Sequence, residues 1–336
     1  MKKFNILVLI LVMAMFVAAP AATAKEPTYV IKISHDSPAG KHPRQIAAEQ
    51  FAKLVMERTK GDIKVEIYPT AQLFHDKAVV AAVGKGTVQM AMPGTWFLGN
   101  ASNIFYITGL PMFFGAEREK YYEIMDGKVG EAIFKDMEKV GIKGLAYWDV
   151  AMACYATRKK PVYYPDDFKG LKMRVPGGWT TETRLTLMGA PPISIPYAEV
   201  FMALKQGVID GVESTIMSLA EIKAWEVIKN LTLTNHNLAQ FVVVMNKEFF
   251  DKLPPTHQRI IERTIAEITP GQREYATDLE KKSLKELEEH GVKIIALTDK
   301  QRAAFYEKLQ PMEAETMTKY KLDKALVEEA RRILQK

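Results

Sequence analysis

The sequence predicts an α/β fold built as two lobes, and three observations carry the prediction. A chain of 336 residues is too long for one hydrophobic core to be the default. Strand-like runs alternate with helix-like runs in two successive series, the signature of helices layered on largely parallel strands. Residues 256–290 carry one helical pattern, roughly 50 Å long at about 1.5 Å per residue, which exceeds the width of one lobe. With 48% hydrophobic and 26% charged residues the composition is that of an ordinary folded chain.

The first 24 residues read as an address rather than as structure. Lys2 and Lys3 precede an apolar run over residues 6–17, and Ala22, Thr23 and Ala24 form a small-residue cleavage site, which together make a secretory signal peptide. No stop-transfer pattern follows, and no later apolar run is long enough to cross a bilayer, so the mature chain from residue 25 is expected to be exported and soluble. Removing Lys2 and Lys3 lowers the formal net charge from +6 to +4. Acids and bases are interspersed, which argues against nucleic acid as a partner. The single cysteine, Cys154, lies between apolar neighbours and reads as a buried, inert thiol.

The elements follow in order. Residues 29–34 form a strand rich in Val and Ile, and residues 47–58 place Ala47, Phe51, Leu54 and Val55 on one helical face, broken by Gly61. Residues 63–68 alternate apolar and polar, a half-buried strand. A helix over 76–83, an alternating segment over 88–92, helices over 117–125 and 129–140, and a strand over 143–148 complete the first series. The second series has strands over 172–175 and 193–195 and helices over 180–188 and 198–205, with Gly207 after the last of these as its C′ residue. Residues 220–229 read as a helix with Trp225 in its core face, and 241–245 as a fully apolar strand. Pro270 and Gly271 predict a kink in the long helix. Thr298 and Gln301 make a capping box at the start of the last helical region.

Catalytic and metal signatures are absent. There is no H-E-x-x-H, no G-x-S-x-G and no Walker A loop, and Gly84, Lys85 and Gly86 fail the dinucleotide pattern at its third glycine. The six histidines, at 35, 42, 75, 236, 257 and 290, show no close ligand spacing. The expectation is a protein without metal or cofactor that is not an enzyme.

A continuous block then carries a resemblance. Residues 166–176 read DDFKGLKMRVP, followed by Leu187 to Pro191 and by residues 196–213, PYAEVFMALKQGVIDGVE. Further matches are His42 with Pro43, Phe51, Tyr68 with Pro69, Gln72 with Leu73, Leu110 with Pro111, residues 231–236, and Met245 with Asn246. Over essentially the whole mature chain, the sequence resembles the DctP-like substrate-binding proteins of TRAP transporters. The resemblance implies a two-lobe periplasmic binding protein fold with a long helix across both lobes. It assigns 25–150 and part of 240–270 to lobe I, and 151–239 with part of 271–336 to lobe II, the chain crossing more than once. It also implies a periplasmic receptor that captures an organic acid in the interlobe cleft and delivers it to membrane permease subunits, DctQ-like and DctM-like. A receptor of an ABC importer and an exported enzyme acting on a small carboxylic acid, for instance through Glu213 and His236, are the competing readings.

The candidate site residues follow from this frame. Arg174 matches the family's anchoring arginine, and a planar guanidinium grips a carboxylate through two parallel charge-assisted bonds. Ala153 stands where sialate receptors of the family carry a second arginine, which weakens a dicarboxylate reading. Glu213 and Ser214 match a ligand-contacting position, with a helix N-cap at Ser214 as the alternative. Thr95 and Trp96 follow a strand end, where open α/β sheets bind ligands; lobe packing is the alternative for Trp96. Trp148 is placed to cover the cleft, and Trp179 to stack on whatever Arg174 holds. His35 and His236 match cleft positions and either bond a ligand oxygen or cap a strand end. One arginine with three tryptophans points to a monocarboxylate with an apolar or aromatic body.

Overall fold

Residues 26–335 are described by a computed structural model; the leader expected at residues 1–24 lies outside them. Ten strands and eleven α-helices follow in the order β1 (Tyr29–Ser34), α1 (Pro43–Arg58), β2 (Ile63–Tyr68), α2 (Asp76–Gly84), β3 (Met90–Ala91), α3 (Arg118–Met125), α4 (Lys128–Met137), β4 (Ile142–Thr157), β5 (Met173–Val175), α5 (Trp179–Leu187), β6 (Pro192–Ser194), α6 (Val200–Gln206), β7 (Gly211–Thr215), α7 (Ile216–Glu221), β8 (Asn230–Leu233), β9 (Leu238–Asn246), α8 (Lys247–Lys252), α9 (Pro255–Glu289), β10 (Lys293–Ala296), α10 (Asp299–Tyr320) and α11 (Lys324–Leu334).

The strands join in the order β2-β1-β3-β9-β4-β7-β5-β6, with β8 between β4 and β10. The expectation of parallel layers holds only in part. β1 is parallel to β2 and β3, β5 to β6 and β7, and β8 to β10. β9 and β4 run against their neighbours, so the sheet is mixed. β4 is also far longer than the strand expected at 143–148. Its residues up to Met152 pair with β9, and from Ala153 onward it pairs with β7 and β8. One strand therefore belongs to both lobes.

Alternation along the strands divides each lobe's core into two layers. In β9, Leu238, Val242 and Val244 face a core shared with α2, α3, α4 and α11, while Ala239, Phe241, Val243 and Met245 face α1 and the start of α9. In β4, Cys154 and Ala156 face the core of α6 and α7, and Tyr155 packs with Phe168, Leu185 and Phe305 on the opposite side. The long helix expected at 256–290 is α9, unbroken through Pro270. Its Ile261, Ile265 and Ile268 are buried in the first lobe and Leu287 in the second. Residues 220–229 do not form the expected helix: α7 ends at Glu221, and Trp225 lies in a short 3₁₀ turn stacked 4.3 Å from the His290 ring. The capping box at Thr298 and Gln301 and the left-handed Gly207 at the end of α6 are both present.

Candidate functional site

The segments that leave the carboxyl ends of β1, β3, β5, β6 and β7 converge on a cavity of about 520 Å³ between the lobes. That is the position at which open α/β sheets bind ligands, and the volume lies within the range of small-molecule sites. Aromatic walls come from Trp96, Phe97, Phe105 and Phe241, and polar groups from both lobes.

Arg174 is the central residue of β5, held between Ile193 of β6 and Val212 of β7. Its side chain is 4% exposed and lines the cavity. Nε donates to the Ile195 carbonyl at 2.9 Å and Nη1 to the Glu213 carbonyl at 3.3 Å. Neither partner carries charge. Burial lowers the guanidinium pKa to about 10, with Glu213 and Tyr197 opposing the shift, so it stays charged at neutral pH. A buried cation without a bonded counter-charge is costly and is relieved by an incoming anion.

Behind it, Glu213 Oε1 lies 3.5 Å from Arg184 Nη2 and 3.3 Å from His236 Nε2. Burial pushes the Glu213 carboxyl up, and Arg184, the His236 contact and Arg174 outweigh it, so the group is held below the usual carboxylate range. His236 Nδ1 lies 2.6 Å from the Thr234 hydroxyl, and the ring is sandwiched between Tyr155 and Phe114. Burial, then Arg184, lowers its pKa to about 4, so the imidazole is neutral.

The opposite wall is built on α1. Pro43 opens the helix, and His42 caps it by accepting from the Arg44 amide. Arg44 is 1% exposed. Its Nη1 donates to Asp76 at 2.9 Å and to the Met92 carbonyl at 2.6 Å, its Nε to Ser37 at 2.8 Å, and its Nη2 to Asp36 and Ser37. The Phe241 ring lies 3.8 Å from the guanidinium carbon. Burial raises Asp76 to about 7. Asp36 stays below its usual value, because Arg44 outweighs the effect of burial. Across the cavity, the Tyr197 hydroxyl donates to Glu221 at 2.8 Å.

Arg174, Glu213, Ser214, Thr95 and Trp96 are brought together on the cavity wall. Ser214 lies within β7, and the residue that caps α7 is Thr215. Four other candidates do not line the cavity. Trp148 is fully buried in the core of the first lobe, its Nε1 donating to Thr269 at 3.0 Å. Trp179 packs edge-on against Tyr106 and Tyr320, with Lys319 Nζ 4.7 Å from its ring. His35 is fully buried, and burial with the charge of Arg44 lowers its pKa to about 3. His236 sits behind Glu213 rather than at the surface.

Sequence reasoning missed Arg44, Asp36, Asp76, Tyr197 and Glu221. Asp76 was legible only as a residue in a helix's first turn, because its partner Arg44 lies 32 positions away. Arg184 was missed as well: α5 delivers a guanidinium to Glu213, while Ala153 lines the cavity without one.

Two backbone positions fix how closely the lobes approach. Gly178 has φ +101°, and a Cβ there would lie 3.0 Å from the Trp96 carbonyl oxygen. A Cβ on Gly109 would lie 2.7 Å from Thr180. Among the described residues, no helix is long and apolar enough to cross a membrane.

Residues 33–319 match the family described as bacterial extracellular solute-binding protein, family 7. The C4-dicarboxylate-binding periplasmic protein DctP of Rhodobacter capsulatus is 33% identical over 308 residues, covering 90% of both chains. The 2,3-diketo-L-gulonate-binding periplasmic protein YiaO of Escherichia coli K12 is 33% identical over 266 residues, 79% of this chain and 80% of that one. A TRAP periplasmic solute-binding protein of Sulfurospirillum deleyianum, solved with bound succinate, superposes with a TM-score of 0.83 at 28% identity, covering 91% of this chain and 99% of that chain. A chain matched over residues 33–319, with a buried arginine on the wall of an interlobe cleft, thus belongs to family 7 of the bacterial extracellular solute-binding proteins.

Proposed function

We propose that the chain is the periplasmic receptor of a TRAP transporter, that it captures an organic acid between its lobes, and that it hands the solute to DctQ-like and DctM-like membrane subunits. The lobes in this reading are 25–150 with part of 240–270, and 151–239 with part of 271–336. The observation that carries it is the Arg174 guanidinium, buried on the cavity wall with carbonyl partners and no bonded carboxylate. A solute carboxylate supplies the missing counter-charge as the cleft closes and sheds water, which strengthens the pair. The ligands that the relatives are named for, C4-dicarboxylates, 2,3-diketo-L-gulonate and succinate, all carry such a group. The cavity is a place of binding in this reading, not of turnover.

The test is titration calorimetry with a panel of small carboxylates, on the mature chain and on Arg174→Ala. Removing one partner of a desolvated pair costs roughly 3–5 kcal/mol. The variant should therefore bind roughly 10²-fold to several thousandfold more weakly, at about 1.4 kcal/mol per decade. Equal affinity in both proteins removes Arg174 from the site. Solute consumed during the titration would favour an enzyme instead.

A further inference from the structure

Two buried guanidiniums and one buried carboxylate meet at the second-lobe side of the cavity. Arg174 and Glu213 line it, and Arg184, 2% exposed, does not. Helix α5 turns Arg184 inward with Thr181 and Leu185, positions that share one helical face. His236 adds no charge, because burial lowers its pKa to about 4. Arg174, Arg184 and Glu213 together therefore carry one surplus positive charge. Where that surplus sits depends on which guanidinium holds Glu213. The backbone already brings Glu213 to Arg174, whose Nη1 donates to the Glu213 carbonyl at 3.3 Å. Glu213 is also the carboxylate whose charge acts on Arg174. Were it to pair there, no charge would remain for a solute.

The carboxylate is turned to Arg184 instead. Arg184 Nη2 lies 3.5 Å from Glu213 Oε1, and its charge acts on Glu213 more strongly than that of Arg174. Glu213 Oε2 has no hydrogen-bond partner among the described residues. The carboxylate is thus not locked by a full set of bonds and can accept a further donor. A buried ion pair seldom stabilises a fold more than apolar packing of the same volume, so this pair points to a task other than stability. Building on the receptor reading above, we propose that Arg184 is a positioning residue, which holds the Glu213 carboxylate back from Arg174 so that the Arg174 guanidinium meets the cavity with its charge uncompensated. Arg184 touches no solute and acts through Glu213. Without it, Glu213 moves onto Arg174 and competes with the solute from within the protein.

The probe is whichever of succinate, lactate, gluconate and benzoate the mature chain binds most tightly by calorimetry. Its affinity is then compared in the unaltered chain, in Arg184→Met, in Glu213→Gln and in the double variant. Apparent affinity scales with the fraction of molecules whose Arg174 is free, so Arg184→Met should bind roughly tenfold more weakly. Adding Glu213→Gln to Arg184→Met should restore most of that loss. The gain should be far larger there than in the unaltered chain, the mark of two residues that act through each other. An equal effect of Glu213→Gln in both backgrounds overturns the proposal and leaves the carboxylate receptor standing; so does unchanged affinity in Arg184→Met. A lowered melting temperature of Arg184→Met without that coupling makes Arg184 a packing residue only, and the proposal fails. Should Arg184→Met not fold, Arg184→Lys takes its place: a point charge without the planar fork grips a carboxylate less well, and the same coupling is expected at smaller size. If none of the four acids binds the unaltered chain, the receptor reading falls and the proposal with it.

Discussion

At the scale of single residues, burial decides what each charged group does. Arg44 and Arg174 are both buried arginines on one cavity, yet only Arg174 lacks a bonded carboxylate. Arg174 was legible because the run that contains it is distinctive. The tryptophans were not, because side-chain direction depends on details no sequence spacing reveals: β4 is irregular between Gly144 and Ala146 and again between Asp149 and Ala151, and Trp148 lies between these shifts, facing the core. The buried histidines make a prediction about acid. His236 is neutral in the fold down to about pH 4, whereas an unfolded chain takes up the proton near pH 6.5. The unfolded state therefore binds more protons between those values, so stability is full above about 6.5 and is lost as pH falls toward 4. At about 1.4 kcal/mol per unit, His236 accounts for roughly 3 kcal/mol. His35 and His42 are shifted the same way by burial. Asp76, raised to about 7 by burial, acts in the opposite sense: its contribution falls as pH rises from about 4 to 7. Glu221 and Glu280, also raised by burial, act with Asp76, whereas Asp36 and Glu213, held low by their arginines, act with the three histidines; the second set outweighs the first, so thermal melts should drop from pH 6.5 to 4.5, and His236→Asn should flatten part of the slope. A level melting temperature across that range in the unaltered protein contradicts the neutral, buried assignment.

At the scale of elements, α9 is tied to the shared strand by polar bonds that its pattern of apolar residues could not announce. Gln272 bonds both the amide and the carbonyl of Asp149, each at 2.8 Å, and Glu280 accepts from the Met152 amide at 2.9 Å. Arg118 of α3 donates to Asp149 at 2.8 Å and to Glu280, and Gln240 of β9 donates to Asp149 at 3.0 Å. The knot sits where β4 passes from one lobe to the other. Arg118→Met leaves two buried carboxylates without their cation, a loss of roughly 3–5 kcal/mol. Urea unfolding should show it as a lowered midpoint; a change under 1 kcal/mol on that scale would mean that water replaces the guanidinium at no cost. Helix α9 also passes through Pro270, which has no amide to donate. At the residue before it, the Thr269 hydroxyl bonds the Ile265 carbonyl at 2.7 Å and accepts from Trp148, so the region is held by side chains as well as by the helix. Gly178 supplies the matching constraint at the cleft. An alanine there meets both an unfavourable φ and the Trp96 carbonyl. Gly178→Ala should weaken solute affinity about tenfold or more, as calorimetry reads it, with a smaller effect on the solute-free melt. A loss confined to the solute-free protein would place the strain within one lobe instead.

At the scale of the whole molecule, the alternation of strand and helix was enough to read an α/β architecture, and the length of the helix at 256–290 was enough to read two lobes bridged by it. What stayed hidden was the sheet order. Residues 149–157 of β4 are buried on both faces and show no alternation, so nothing in their pattern extended the strand past Trp148. β7, β8 and β10 were missed for a related reason: each is five residues or fewer, and each is recognisable only through the neighbour that completes its hydrogen bonds. The cavity inherits this. Arg174 and Glu213 lie on strands β5 and β7, which are sequence-distant yet adjacent in the sheet, and the wall of Asp36, Arg44 and Asp76 closes only after β1 and β3 have paired.

That β4 runs unbroken from one lobe's sheet into the other's has a consequence for how the protein comes apart. Neither half owns a complete set of strand partners, so neither can melt while the other keeps its full ladder. The integrity of both leaves is thus borne by a single ribbon of backbone, whose register is held on each side by a different set of neighbours.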